Sequence, residues 1–144
     1  MIPDFTSDGV LPPGIHTTTL GEFERRFSVF DRSDRRKKLF VKLNRLVQEA
    51  QKSGIAKRIL IAGSFVTDKP EPNDFDCVLV LDPVVLDKSL PPYQYNLVSR
   101  KMARRIFGGD VMPALVGSKA LAEYIEFFQT TRDGHSMGIV EIEL

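Results

Sequence analysis

The sequence predicts an α/β (α+β) fold, a small mixed β-sheet packed with helices, on three observations. Short apolar runs such as "RILIA" at 58–62 and "CVLVL" at 77–81 have the length and β-branched content of buried strands. Elsewhere apolar residues recur three and four apart, as at Leu39, Leu43, Leu46 and Val47, which is the period of one helix face. Glycine and proline punctuate these segments at element-sized intervals, with no repeat and no linker to a second unit. A chain of 144 residues, 42% hydrophobic, is long enough to bury one core, so residues 1–144 are expected to form a single domain.

The elements follow in order. Residues 1–16, with Pro3, Gly9, Pro12, Pro13 and Gly14, carry turn chemistry and are expected to run over the surface as an irregular arm. Thr19 and Glu22 have the spacing of a capping box, and Leu20, Phe23 and Phe27 share a face of the short helix that follows. A longer helix should start near Ser33 and stop at Gly54, its face away from the leucine stripe basic and solvated. The period then becomes that of strands: 58–62 and 74–81, joined by "GSFVTDKPEPN", are close enough to be antiparallel neighbours. One helix over 91–109, entered through Pro91 and Pro92 and ended by Gly108 and Gly109, would turn Tyr95, Val98, Met102 and Ile106 inward. "DVMPALV" is a third strand, whose Pro113 suits an edge or bulge. Ser118 caps a helix over "SKALAEYIEFFQ", and "MGIVEIEL" closes the order as a half-solvated edge strand.

Composition narrows the function classes. Twenty basic residues against nineteen acidic leave a net charge of +1, so no overall field points to nucleic acid or membrane, and a basic site has to be a local patch. Cys77, the single cysteine, has no internal disulfide partner. The first sixteen residues lack the basic and apolar regions of a signal peptide, and the longest apolar runs are too short to cross a bilayer. A cytoplasmic protein with no membrane partner is expected.

Chemistry concentrates in "GSFVTDKPEPNDFDCVLVL", residues 63–81. Strand residues two apart share a face, so Asp74 and Asp76 point the same way, while Phe75 and Cys77 point to the other. Two adjacent carboxylates repel unless a positive charge lies between them. As hard oxygen ligands they suit magnesium, which is held by a few carboxylates together with water and substrate phosphates in phosphoryl-transfer sites. Upstream, Gly63 lets backbone approach a ligand, and Ser64 offers an N–H and a hydroxyl to phosphate oxygens.

A hydrophobic strand, Gly-Ser, nine residues and then Asp-x-Asp entering a second hydrophobic strand resembles the signature of the nucleotidyltransferase superfamily, the polymerase-beta-like fold, with Gly63, Ser64, Asp74 and Asp76 in its four positions. More narrowly, "IPDF" and "GVLPPGIH" joined to "GSFVTDKPEPNDFD" resemble small stand-alone bacterial predicted nucleotidyltransferases related to those of toxin–antitoxin pairs, along nearly the whole chain. The resemblance implies a minimal nucleotidyltransferase fold, Mg2+ or Mn2+ as cofactor, an NTP such as ATP as substrate, and a cognate antitoxin or other protein as partner. It also implies a third carboxylate on a later neighbouring strand, in an apolar-acid-apolar setting that completes the metal site. Asp110 is the candidate, although Gly109 before it departs from that setting; Glu141 and Glu143 are its rivals.

Other features have plainer readings. "GSFVTDKP" lacks the second glycine and the hydroxyl residue of a Walker A loop, having Asp68 and Pro70 there. Lys69 is either a phosphate ligand or one more solvated loop lysine. His16 and His135 stand far apart in loop-like settings without ligand-spaced neighbours, and Cys77 reads as a small buried hydrophobe. The basic clusters at 32–38 and 99–105 are solvated helix faces or, around a metal site, contacts for an RNA backbone or a triphosphate tail.

The expected function is magnesium-dependent transfer of a nucleoside monophosphate from an NTP to an acceptor hydroxyl on tRNA, a protein or a small molecule. Asp74 and Asp76 would hold metal, Asp110 would complete the metal site and orient or deprotonate the acceptor, and Gly63 and Ser64 would hold the β- and γ-phosphates. The alternative is a catalytically inactive module of the same fold, serving as the regulatory half of a two-protein unit.

Overall fold

The two apolar runs become the middle of a sheet. The computed structural model describes residues 1–29, 34–87 and 89–144. In chain order the elements are β1 (Gly14–Thr18), α1 (Leu20–Phe27), α2 (Arg35–Ser53), β2 (Ala56–Ala62), a 3-10 turn (Gly63–Val66), β3 (Asp76–Leu81), a second 3-10 turn (Pro83–Leu86), α3 (Pro92–Val98), α4 (Arg100–Phe107), β4 (Asp110–Leu115), α5 (Lys119–Phe128) and β5 (Gly138–Ile142). The strands lie in the order β1-β5-β2-β3-β4. β2 runs antiparallel to both β3 and β5, whereas β1 with β5 and β3 with β4 are parallel pairs, so the sheet is mixed. This is an α+β arrangement, as the sequence pattern requires.

Alternation along the strands builds two layers. Ile59, Ile61, Cys77, Leu79, Leu81, Val111, Val140 and Ile142 pack with the apolar faces of α1 to α4. On the opposite face Leu60, Ala62, Val78, Val80, Ala114 and Ile139 pack under α5, through Leu121, Tyr124, Ile125 and Phe128. β2 and β3 are thus covered on both sides, which is why their sequences are nearly continuous apolar runs.

Local signals explain most boundaries. The Thr19 hydroxyl accepts from the Glu22 N–H and opens α1, with Phe23 and Phe27 buried. Glu22 does not return to the cap; its carboxylate accepts from the Thr18 hydroxyl and from the Ile2 N–H, tying the start of the chain to the helix. α2 buries Leu39, Leu43, Leu46 and Val47 and ends at Gly54 with φ +72°. The expected start near Ser33 lies outside the described residues, as does the Arg32 end of the first basic cluster.

Five further expectations are corrected. The second strand starts at Asp76 and not at Asp74, which precedes it in the chain with no assigned element. The arm is irregular only to Pro13: Gly14–Thr18 forms β1, and Leu11 is fully buried, so the segment is part of the core and not a surface wrap. The helix expected over 91–109 is two helices. Ser99 is extended and its hydroxyl accepts from the Met102 N–H, capping α4 and rotating the buried face. In consequence Gln94, Leu97, Ala103 and Phe107 are buried, while Tyr95 is exposed. β5 is not an edge: β1 covers its outer side, and Glu141 is accommodated by an ion pair with Arg58 at 2.7 Å. Finally, α2 is not basic only on its solvated side, because Arg36 is fully buried.

Candidate functional site

Strand register assembles the acids. In the antiparallel pair β2–β3, Ala62 stands opposite Asp76, and in the parallel pair β3–β4, Asp76 stands opposite Asp110. Asp110 is therefore the nearest strand neighbour of Asp76, and its N–H donates to the Phe75 carbonyl at 3.0 Å. Glu141 lies two strands away in the row of Leu60, bound to Arg58, and Glu143 is exposed; neither joins the acids.

The glycine before Asp110 has a packing reason. A Cβ on Gly109 would collide with the Phe75 ring, so that buried ring occupies the place where an apolar side chain before the acid was expected. Gly63 has a second reason, because its φ is +76° and a Cβ there would strike the Asp76 carboxylate. The Gly-Ser turn and the acid thus form one surface, with backbone lying directly against a carboxylate. Ser64 follows half-buried at the start of the 3-10 turn, its carbonyl engaged by the N–H and hydroxyl of Thr67.

The positive charge that two neighbouring acids demand comes from α4. Arg104 Nη1 donates to Asp74 Oδ2 at 2.8 Å. Arg100 Nη2 donates to both Asp110 oxygens, at 3.0 and 3.1 Å. The Asp76 carboxylate, between them, has no hydrogen bond or ion pair among the described residues. Its burial, and then the charges of Asp74 and Asp110, push its carboxyl up to about 6, against the lowering effect of Arg104 and Arg100. Among the described residues no three His, Cys, Asp or Glu side chains are gathered into a ready metal cluster. The donor set still suits a hard divalent cation: all oxygen, with Asp76 and Asp110 on adjoining strands, Asp74 just before β3, and the Cβ-free Gly63 cradle beside Asp76.

A family model described as "Family of unknown function (DUF6932)" matches residues 3–143. The chain belongs to that family. No curated protein and no solved structure matches it.

In this family member the loop behind the Gly-Ser turn is organised by Arg36. Its Nη1 donates to the carbonyls of Phe65 at 2.8 Å and Phe27 at 3.0 Å, and its Nη2 to those of Thr67 and Lys69, each at 2.6 Å. Burial lowers its pKa to about 10, still well above neutrality, so the buried guanidinium stays charged. The loop also meets the N-terminal segment, where the Asp68 N–H donates to the Gly9 carbonyl. Lys69 itself is exposed, with its side chain in the loop's solvent face.

The remaining sequence candidates are not brought to the acids. His16 lies in β1 with Nε2 at 2.6 Å from the Pro12 carbonyl, so its setting is a strand and not a loop. His135 is exposed. Cys77 is fully buried and burial pushes its thiol up, which removes thiolate chemistry. Sequence reasoning missed the role of Arg36 and the pairing of Arg100 and Arg104 with the acids. The second had a visible signal: arginines four apart lie one above the other on a helix face.

Proposed function

We propose that the protein is a magnesium-dependent nucleotidyltransferase that moves a nucleoside monophosphate from an NTP to an acceptor hydroxyl, with release of pyrophosphate. The observation that carries this reading is the register row Ala62–Asp76–Asp110, with the Gly63 backbone against Asp76 and Asp74 two residues upstream. Asp74, Asp76 and Asp110 would hold the cation, which when bound supplies charge neutralisation for the phosphates and orients the reacting oxygens. Gly63 and Ser64 hold the phosphate tail by backbone N–H groups and the Ser64 hydroxyl, and Asp110 accepts or orients the acceptor's proton. The resemblance to toxin–antitoxin nucleotidyltransferases supports tRNA or a protein as the acceptor and a cognate protein as partner. A cytoplasmic setting is part of this reading and rests on the sequence alone. Among the described residues no helix is long and apolar enough to cross a membrane.

A second reading, a nucleotidyltransferase-like module without catalysis, is favoured by one observation: Asp74 and Asp110 already have arginine partners. The Asp74→Asn/Asp76→Asn double variant separates the two. On the enzymatic reading it keeps its fold, with a melting temperature unchanged or raised because the repulsion is gone. It also loses magnesium-dependent NTP binding and transfer of label to total RNA or protein. Asp110→Ala should cost about a hundredfold in rate and change nucleotide affinity much less. Undiminished transfer by the double variant would overturn the proposal.

A further inference from the structure

We propose that Arg100 and Arg104 are the triphosphate-binding side chains of this site, parked on Asp110 and Asp74 until a divalent cation displaces them. This rests on the nucleotidyltransferase reading and adds to it a substrate-binding pair on a helix that the Gly-Ser and Asp-x-Asp pattern does not include.

Four residues apart on α4, the two guanidiniums leave the same helix face one turn apart and reach two different acids that flank Asp76. Both ion pairs are substantially open to water, with the arginine side chains 56% exposed and the acids 36% and 35% exposed. Pairs this exposed hold their partners weakly and exchange readily. Asp76, the member with no arginine, is the acid left open to a first cation. Asp74, Asp76 and Asp110 would hold the cation together, and Arg100 and Arg104, released from Asp110 and Asp74, would then be free beside the acids.

A released guanidinium has its best available partner in phosphate, which it binds through a planar fork that a carboxylate also matches. The exchange conserves ion pairing: carboxylate–arginine contacts become carboxylate–cation and arginine–phosphate contacts, with no charge left alone. Cation and nucleotide would therefore bind cooperatively, each relieving the other's competitor. Arg105, on the same helix and exposed, pairs with no acid among the described residues and serves as the control for plain removal of positive charge.

The test is calorimetric titration of the full chain with Mg2+ alone, and with inorganic triphosphate both in saturating Mg2+ and in chelator. Arg100→Gln/Arg104→Gln should bind Mg2+ about fivefold to thirtyfold more tightly than the parent, the effect of deleting two weak competing ion pairs. The same variant should lose triphosphate binding by tenfold or more. Arg105→Gln should alter either affinity by less than about twofold. The parent should bind triphosphate more tightly in Mg2+ than in chelator. Unchanged or weaker Mg2+ binding in the double variant, or an equal effect from Arg105→Gln, overturns the exchange while leaving the nucleotidyltransferase reading intact. Absence of Mg2+ binding in the parent and in every variant overturns both.

Discussion

At the scale of single residues, Asp76 combines a half-buried position with two like charges beside it, which together push its carboxyl up to about 6. In the unfolded chain the same group titrates near the ordinary value of about 4. The folded state therefore holds the proton more tightly, and stability is full below about pH 4 and falls as pH rises through 6. In chelator, the melting temperature of the metal-free protein should decline across that window. Asp76→Asn should raise stability by about 1–3 kcal/mol at pH 7 and by little at pH 4, measured by urea unfolding at both values. A gain that is the same at the two pH values would show that the asparagine acts through packing and not through charge.

At the scale of elements, α2 stabilises the site's loop through one side chain. Arg36 reaches the carbonyls of Phe65, Thr67 and Lys69 from a position with no solvent exposure. Replacement by Met keeps the volume of the stem and leaves buried carbonyls without donors, a change expected to cost about 3 kcal/mol or more. Lys in its place restores a charge but not the fork, so Arg36→Lys should recover only part of the loss in chemical denaturation. Arg36 is accordingly not available to an RNA backbone, unlike its exposed neighbour Arg35, which donates to Asn73 Oδ1 at 3.0 Å. This residue also marks what periodicity misses. In "RSDRRKK" every basic residue looks alike, and the ring of carbonyls that singles out Arg36 is contributed by α1 and by a loop some thirty residues later. By contrast, the antiparallel pairing of β2 with β3 and the caps at Thr19, Ser118 and Gly54 were legible because each depends on residues near in sequence, and the placement of Asp110 beside Asp76 followed from the resemblance and from a strand returning after one intervening helical segment. The break at Ser99 was hidden by a continuous helical pattern on either side, and only the Ser99 cap reveals it.

At the scale of the whole molecule, coverage of the sheet is unequal. One face carries α1 to α4, whereas the other carries α5, on which Leu121 is the buried residue and Tyr124, Ile125 and Phe128 are only partly covered. Local opening should follow that asymmetry. Native-state hydrogen exchange is expected to show amides of α5 protected at least about tenfold less than those of β3, whose residues Cys77–Leu81 are buried on both sides. Equal protection would mean that α5 opens only with global unfolding. This organisation was the least legible part of the fold, since the threonine-rich "GIHTT" carries too weak an apolar pattern to announce β1. Without β1, Glu141 of β5 and Glu143 just beyond it look like a solvated border and not the inside of a sheet.

The place of β5 between β1 and β2 has a bearing on the order of assembly. The half of the sheet formed by β2, β3 and β4 comes from one continuous stretch of chain, so its pairings close over short or moderate loops. The other half cannot form until residues 138–142 arrive to bridge two strands made much earlier. On a ribosome, the acid-bearing half would then exist for a time with the far edge of β2 unpaired. An apolar strand edge waiting in that way accepts any matching strand, including the Gly138–Ile142 segment of another nascent copy, which is how exchange of strands between neighbouring chains begins.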